Sequence, residues 1–331
     1  MASYFADVLH APLGESEIDF LMLNVPPVCN YRCRKCFTNA GKRKIINRLS
    51  LKDWLRVISE ARALGARNVS ILGEGEPLIY ESIRPVIRHI HNEGMIPMLA
   101  TNAFELTPAM ADFLCDHDAT VGFSLDTLDE KEYRDFCRGN ADLTKVLQNI
   151  AYARKRFVKT IKVVNGYKVF RFLLHMTVTP QNYRHFTQIR DFCGDDIFFD
   201  TQPLASVGAA DSKSACGSPE DSYERLQRDL HAQYPPMVLS QTADGKEVCC
   251  LFNFGLAINH SGETMFDTHA IEPANYIGNV RDVPLTELIA RTKKLRRYFL
   301  ENFPSGYCPV RDHTYKAFLQ LLTKYSIHEL P

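Results

Sequence analysis

The chain has no surplus of charge of either sign: 39 Lys and Arg balance 39 Asp and Glu, giving a formal net charge of +0 and a pI near 7.1. Long-range attraction to nucleic acid or to an anionic membrane needs an excess of cations, so neither is expected as a partner. There is a single Trp, which leaves little aromatic platform on which a polynucleotide could stack. No apolar run approaches the roughly 20 residues of a membrane span. The N-terminus also lacks a basic segment leading into a long apolar one, so a cytoplasmic location is expected. Internal repeats and low-complexity tracts are missing, which sets aside solenoids and compositional disorder.

What is present is an ordinary globular composition, 45% hydrophobic and 24% charged over 331 residues, enough for one large domain and a smaller appendage. Ten cysteines stand out. Disulfide frameworks belong to small secreted domains, so in a chain of this size and expected location metal binding is the better use. A free Cys is also a common small buried hydrophobe, and spacing has to separate the two kinds.

The pattern of apolar residues alternates strand and helix. Strands are predicted at Phe20 to Val25, Asn68 to Leu72, Ile96 to Thr101, Ala119 to Leu125, Phe170 to Val178 and Ile197 to Thr201. Helices are predicted at Leu51 to Leu64 (capped by Ser50), Ile83 to Glu93, Pro108 to Asp116, Leu143 to Phe157 and Arg184 to Phe192. About six strand–helix units imply an α/β fold with a parallel sheet, closed as a barrel or left open. In either form ligands gather at the carboxyl ends of the strands. Cys29, Cys33 and Cys36, the run Gly75-Glu76-Pro77, Thr101-Asn102 and Ser124-Leu125-Asp126 all fall on or just after such ends. After Pro203 the alternation stops, and residues 205–219 read as a linker between an alternating unit, residues 1–204, and a C-terminal module, residues 220–331.

Three thiols in one loop, spaced C-x3-C-x2-C, suit an iron–sulfur cluster. A four-iron cluster held by three thiolates keeps one iron open to a ligand, as catalytic zinc sites keep an open position. On spacing alone, a zinc site borrowing a His or a fourth Cys, or three buried thiols, are the other readings. A structural zinc or an electron-transfer cluster held by Cys29, Cys33 and Cys36 would make the chain a non-catalytic metal or iron–sulfur protein.

With Phe37 after it, that loop resembles the signature of the radical S-adenosylmethionine superfamily, and the likeness extends over roughly residues 18–204. Gly75-Glu76-Pro77 is similar to the element that receives the methionine amino group, Thr101-Asn102 and Ser124-Leu125-Asp126 to ribose-binding strand ends, and Arg138-Gly139 to a carboxylate-binding arginine. His175, on the fifth strand, is either a cofactor-facing residue or a core histidine. Thr101 and Ser124 have helix capping as their alternative role. The resemblance implies a partial barrel of six strand–helix units, a [4Fe-4S] cluster, S-adenosyl-L-methionine and an external flavodoxin- or ferredoxin-like one-electron reductant. It also implies reductive cleavage of S-adenosylmethionine to methionine and a 5′-deoxyadenosyl radical that takes hydrogen from a substrate, with the protein orienting the reaction and excluding water.

The C-terminal half resembles the SPASM or twitch modules of that superfamily through Cys250, Gly262, residues 276–280 and Cys308, but in degenerate form. Asp267 and Arg311 stand where two further cysteines belong, and a guanidinium cannot ligate iron. A second, auxiliary cluster is therefore not expected; the route left to it is ligation by Cys249, Cys250, Cys308 and Asp267 or His269. The module is expected to lie as a lid over the barrel mouth. Cys249 and Cys250 are candidate hydrogen donors to a substrate radical. The expected substrate is a small polar metabolite, the sugar of an aminoglycoside- or nucleoside-type natural product first, with a peptide as runner-up. Without an auxiliary electron acceptor, a redox-neutral outcome such as decarboxylation, elimination or epimerisation is expected over dehydrogenation.

Overall fold

The computed structural model describes residues 2–3, 16–42, 44–164, 166–179, 181–204, 209, 239–241, 247–268, 272–303 and 313–324. Strand β1 (Phe20–Leu23) is buried along its whole length, as a parallel strand covered on both faces must be. In chain order there follow α1 (Leu51–Ala63), β2 (Asn68–Ile71), α2 (Ile83–Asn92), β3 (Ile96–Thr101), α3 (Pro108–Asp116), β4 (Thr120–Ser124) and α4 (Glu130–Cys137). Next come α5 (Leu143–Phe157), β5 (Phe172–Val178), α6 (Phe186–Cys193) and β6 (Phe198–Pro203). Strands β1 to β6 lie side by side in chain order and every pair is parallel. The predicted six units are thus present. Ser50 caps α1 in a reciprocal box with Asp53, which satisfies the helix's first free N–H groups.

Side chains alternate across the sheet. Leu21, Leu23, Val69, Ile71, Leu99, Val121 and Phe123 point to the helices and join Trp54, Val57, Ile58, Val86 and Ile87 in the main core. The opposite face is apolar near the start of the strands, where Phe20 and Met98 pack with Phe252, Phe266, Phe299 and Phe318. Toward the strand ends it becomes polar.

Two elements depart from expectation. The strand predicted over Phe170 to Val178 is divided: a short strand, Tyr167–Phe170, belongs to a separate ribbon, and β5 starts after Arg171, whose guanidinium donates to the carbonyl of Asp118. Helix α4 is unpredicted because only Tyr133 and Cys137 of its eight residues are buried, too few for a visible apolar stripe.

The described C-terminal residues extend the sheet and fill its inner face where the strands begin. A short helix, α7 (Cys250–Phe254), leads into β7 (Gly255–Ile258), which pairs in parallel with β1 and so extends the sheet; β8 (Glu263–Met265) and β9 (Tyr276–Asn279) follow antiparallel. Helices α8 (Leu285–Asn302) and α9 (His313–Lys324) bring Leu295, Phe299, Phe318 and Leu322 onto the inner face where the strands begin. Among the described residues no helix is long and apolar enough to cross a membrane.

Phe299 is fully buried against the rings of Phe252, Phe266, Phe303 and Phe318. Phe299→Ala is expected to lower the unfolding free energy by about 3–5 kcal/mol. Because β7 and β1 share one ladder, both halves should still unfold in a single transition when denaturation is followed by circular dichroism.

Candidate active site

The loop after β1 has no ladder of its own, and neighbouring strand and helix ends hold it. The carboxyl end of α4 supplies two carbonyls, Phe136 accepting from Arg34 N at 3.0 Å and Cys137 from Arg32 N at 2.9 Å. These are among the last carbonyls of a helix, which have no partner within it. The turn that follows, with Arg138 and Gly139 both left-handed (φ 55° and 63°), lets Asn140 N reach Asn30 O at 3.2 Å. A Cβ at Gly139 would stand 2.7 Å from Asn30 O, so the close approach requires glycine. On the other side Glu76 N donates to Val28 O at 2.8 Å.

Cys29, Cys33 and Cys36 are all partly exposed on this loop. Donors surround their sulfurs: Tyr31 N lies 3.4 Å from Cys29 Sγ, Ala40 N lies 3.3 Å from Cys36 Sγ and Thr38 Oγ1 lies 3.4 Å from the same atom. Burial pushes the Cys29 thiol up to about 12. A hydrogen bond with Cys137, then burial, also raise Cys33 well above the ordinary thiol range. Among the described residues no three His, Cys, Asp or Glu side chains converge on one point as a single ion would need. A tetrahedral zinc requires such convergence, whereas a four-iron cluster takes each thiolate on a separate iron. The donor set, three thiols on one loop, fits the cluster.

Glu76 is buried, and its carboxylate accepts from Thr101 Oγ1 at 2.6 Å, Asn102 N at 2.8 Å and Leu78 N at 3.1 Å. Burial raises its carboxyl while these donors pull it back. It therefore acts as a bracket between the turn after β2 and the end of β3, and Thr101 is committed to it. Asn102 reaches further, its Nδ2 donating to Asn30 Oδ1 at 2.8 Å and lying 4.0 Å from Cys29 Sγ. Gly75 and Pro77 complete the turn, and a Cβ at Gly75 would fall 2.2 Å from Pro26 O and 2.3 Å from Val28 O.

On the far side of the opening, Ser124, His175 and Asp200 occupy adjacent register positions on β4, β5 and β6. His175 Nδ1 and Asp200 Oδ2 are 2.6 Å apart, with Asp200 buried. Asp126 takes Lys35 Nζ at 2.5 Å on one oxygen and Thr177 N at 3.0 Å on the other. Near the end of β1, the Asn24 amide is fully buried with neither polar atom hydrogen-bonded. Beside it Glu74 and His260 approach within 3.3 Å.

The structure thus gathers Cys29, Cys33, Cys36, Gly75, Glu76, Pro77, Thr101, Asn102, Ser124, Asp126 and His175 at one edge of the sheet. Arg138 contributes its backbone there, but its side chain is exposed. Cys249 and Cys250 are not brought to this edge. They precede β7, whose first residue pairs with Phe20, the first of β1. Both are buried in the apolar cluster at the start of the strands, and burial pushes Cys250 up to about 12. His269, Cys308 and Arg311 lie outside the described residues. Sequence reasoning missed Asp200, Lys35 and Asn24. Strict alternation along β1 through Phe20, Met22 and Asn24 was the available signal for the last.

A parallel sheet whose strand ends bracket a three-cysteine loop defines an iron–sulfur enzyme site on a partial α/β barrel. Residues 23–193, more than half of the chain, match the family described as the Radical SAM superfamily, and the chain belongs to it. It is a radical SAM enzyme, and that family uses a [4Fe-4S] cluster and S-adenosylmethionine together with an external reductant.

Curated relatives include a GTP 3′,8-cyclase of Clostridium perfringens (strain 13 / Type A), 32% identical over 147 residues, or 43% of this chain and 45% of that protein. Another is a GTP 3′,8-cyclase of Geobacter sulfurreducens, 34% identical over 140 residues, covering 41% and 42%. The matched stretch spans less than half the length of these relatives. Among solved structures, Streptococcus suis SuiB bound to S-adenosylmethionine aligns with a TM-score of 0.59 at 19% identity, covering 82% of this chain and 65% of that one. Native anSMEcpe with bound AdoMet aligns at 0.61 and 14% identity, covering 84% and 83%. At these identities the likeness shows the fold.

Gly75→Ala is expected to abolish cluster uptake, because its methyl cannot fit without moving the segment that carries Cys29; iron per chain after anaerobic reconstitution checks this. Because iron must displace protons from thiols held neutral by burial, uptake should strengthen as pH rises from 7 to 9. Following bound iron by visible absorption across that range tests the sign.

Proposed function

We propose that Cys29, Cys33 and Cys36 ligate three irons of a [4Fe-4S] cluster, leaving the fourth open, and that this site cleaves S-adenosylmethionine to start hydrogen abstraction from a small polar metabolite. The observation that carries the reading is the bracketing of the three-thiol loop by the strand-end residues Glu76, Thr101 and Asn102. With both groups bound, the electron and the 5′-deoxyadenosyl radical come from them. The chain's own residues do the rest. The turn Gly75-Glu76-Pro77 and Asn102 would hold S-adenosylmethionine at the cysteine loop. Ser124, Asp126 and His175 line the adenosine side, and Arg138 is the cation at the loop's outer rim.

The polar inner face supports a polar substrate. Asp200 fixes the orientation of His175 through Nδ1, which leaves Nε2 to hold or accept a proton from a hydroxyl or amine. The buried Asn24 amide is suited to a second polar group, since an unpaired amide in that position is unfavourable by about 1–3 kcal/mol until a partner arrives. An amino or nucleoside sugar matches these groups. The curated relatives are GTP 3′,8-cyclases, which makes GTP a compound to test.

Cys249 and Cys250 take no part in this reading, since they lie at the other end of the strands. Asp267 and Arg311 occupy positions where an auxiliary cluster would need thiolates, so one cluster per chain and a redox-neutral reaction of the lyase or isomerase type follow. The reductant is a flavodoxin- or ferredoxin-like protein. Residues 20–52, which contain the cluster loop, carry eight Lys and Arg and no acidic residue, and this favours an acidic donor. Residues 1–204 are the barrel in this reading, and residues 220–331 a degenerate twitch-like module.

After anaerobic reconstitution the protein should hold about four irons per chain, one cluster, and form 5′-deoxyadenosine from S-adenosylmethionine and dithionite. Cys33→Ala should form none. About eight irons would point to a second cluster and an oxidative reaction, and zinc in place of iron would overturn the reading. Incubation with GTP, aminoglycosides or a peptide library, scoring deuterium transfer into deoxyadenosine, separates the substrate classes.

A further inference from the structure

Lys35 stands between two of the three loop cysteines, yet its side chain is turned inward: only 13% of it is exposed, and 6% of its partner Asp126. The ammonium lies 2.5 Å from Asp126 Oδ2 and 3.2 Å from Thr177 Oγ1, and 5.6 Å from the centroid of Phe136. Thr177 N fixes the other Asp126 oxygen at 3.0 Å. Both charges are therefore anchored, the cation by the cluster loop and the anion by the end of β4, with the backbone of β5 holding them together.

We infer that Lys35 and Asp126 are an opposed charge pair that sets the reduction potential of the cluster carried by Cys29, Cys33 and Cys36. This rests on the ligand assignment made above. One-electron reduction adds a negative charge to the site. A fixed cation beside it favours the reduced state and a fixed anion disfavours it, and solvent screens little where both side chains are this buried. Held together, they largely cancel; removing either exposes the other. Lys35 and Asp126 are thus positioning and tuning residues, and they act on the cluster through space.

The test is a redox titration of the reconstituted protein followed by electron paramagnetic resonance, with iron and sulfide counted for each variant. Lys35→Met keeps the length of the side chain and removes its charge, and it should lower the midpoint potential. Asp126→Asn should raise it. Each shift is expected on the order of tenfold in the ratio of reduced to oxidised cluster at a fixed ambient potential. The double variant should return toward wild type, and Lys35→Arg should restore the wild-type value. A merely structural role predicts lost iron in both single variants with no opposition of sign.

Shifts of the same sign, or none beyond twofold with iron retained, would overturn the inference. Should Lys35→Met fail to take up iron, the near-isosteric Asp126→Asn decides alone: a raised potential supports the pair, and an unchanged or lowered one sinks it. A wild-type chain that assembles no cluster would instead overturn the ligand assignment, and the pair with it.

Discussion

Parallel pairing delivers the carboxyl end of every strand to the same edge, and the cysteine loop depends on that edge for its shape. A loop with three closely spaced thiols has no hydrogen-bond ladder and would otherwise be an open chain end between β1 and α1. Here its backbone is held from three directions: by the carbonyls of Phe136 and Cys137 at the end of α4, by the turn at Gly139 and Asn140, and by the amide of Glu76. Two of the glycines involved, Gly75 and Gly139, meet the loop's own carbonyls so closely that a single methyl would separate the parts. The loop's geometry is thus fixed by neighbours that are themselves strand and helix ends, and its precision is inherited from the register of the sheet.

The same register divides the interior. Where the strands begin, the inner face is closed by Phe20, Met98 and the rings of Phe252, Phe266, Phe299 and Phe318. Toward the strand ends, polar groups take over, and nearly every one has a stated partner: Glu76 with three donors, Asp126 with Lys35 and Thr177, Asp200 with His175. Buried carboxylates are tolerated only on those terms. The Asn24 amide, with neither of its polar atoms paired, is one of the buried groups that depart from those terms. Fold stability and ligand placement are separated along the strand axis, so the phenylalanine plug can be altered without touching the chemistry.

Much of this was legible from residues alone. The alternation of strand and helix located all six barrel strands, because apolar runs ending in Gly, Pro or Thr-Asn mark buried parallel strands plainly. The cysteine spacing and the residues at strand ends then fell on one edge by topology. What escaped had physical reasons. Helix α4 buries only Tyr133 and Cys137, so its role in gripping the loop leaves no periodic trace. The His175–Asp200 and Lys35–Asp126 pairs are long-range contacts created by register, 25 and 91 residues apart in sequence, which no local pattern encodes. The C-terminal strands were visible as pieces, but their parallel docking on β1 depends on a free sheet edge that only the assembled fold presents.

A site built this way must exist before its metal arrives, and the protonation of its thiols shows how that is possible. Burial and the neighbouring Cys137 keep Cys29 and Cys33 neutral in the metal-free chain, so the loop can be packed against the core without enclosing unpaired negative charge. Of the charges nearby, Lys35 is paired with Asp126 and Glu76 accepts three hydrogen bonds. Under the proposed ligation iron would reverse the balance at the sulfurs, because a bound cation stabilises the thiolates that burial disfavours. The contacts holding the loop are backbone hydrogen bonds and close glycine packing, neither of which depends on the charge of the sulfurs.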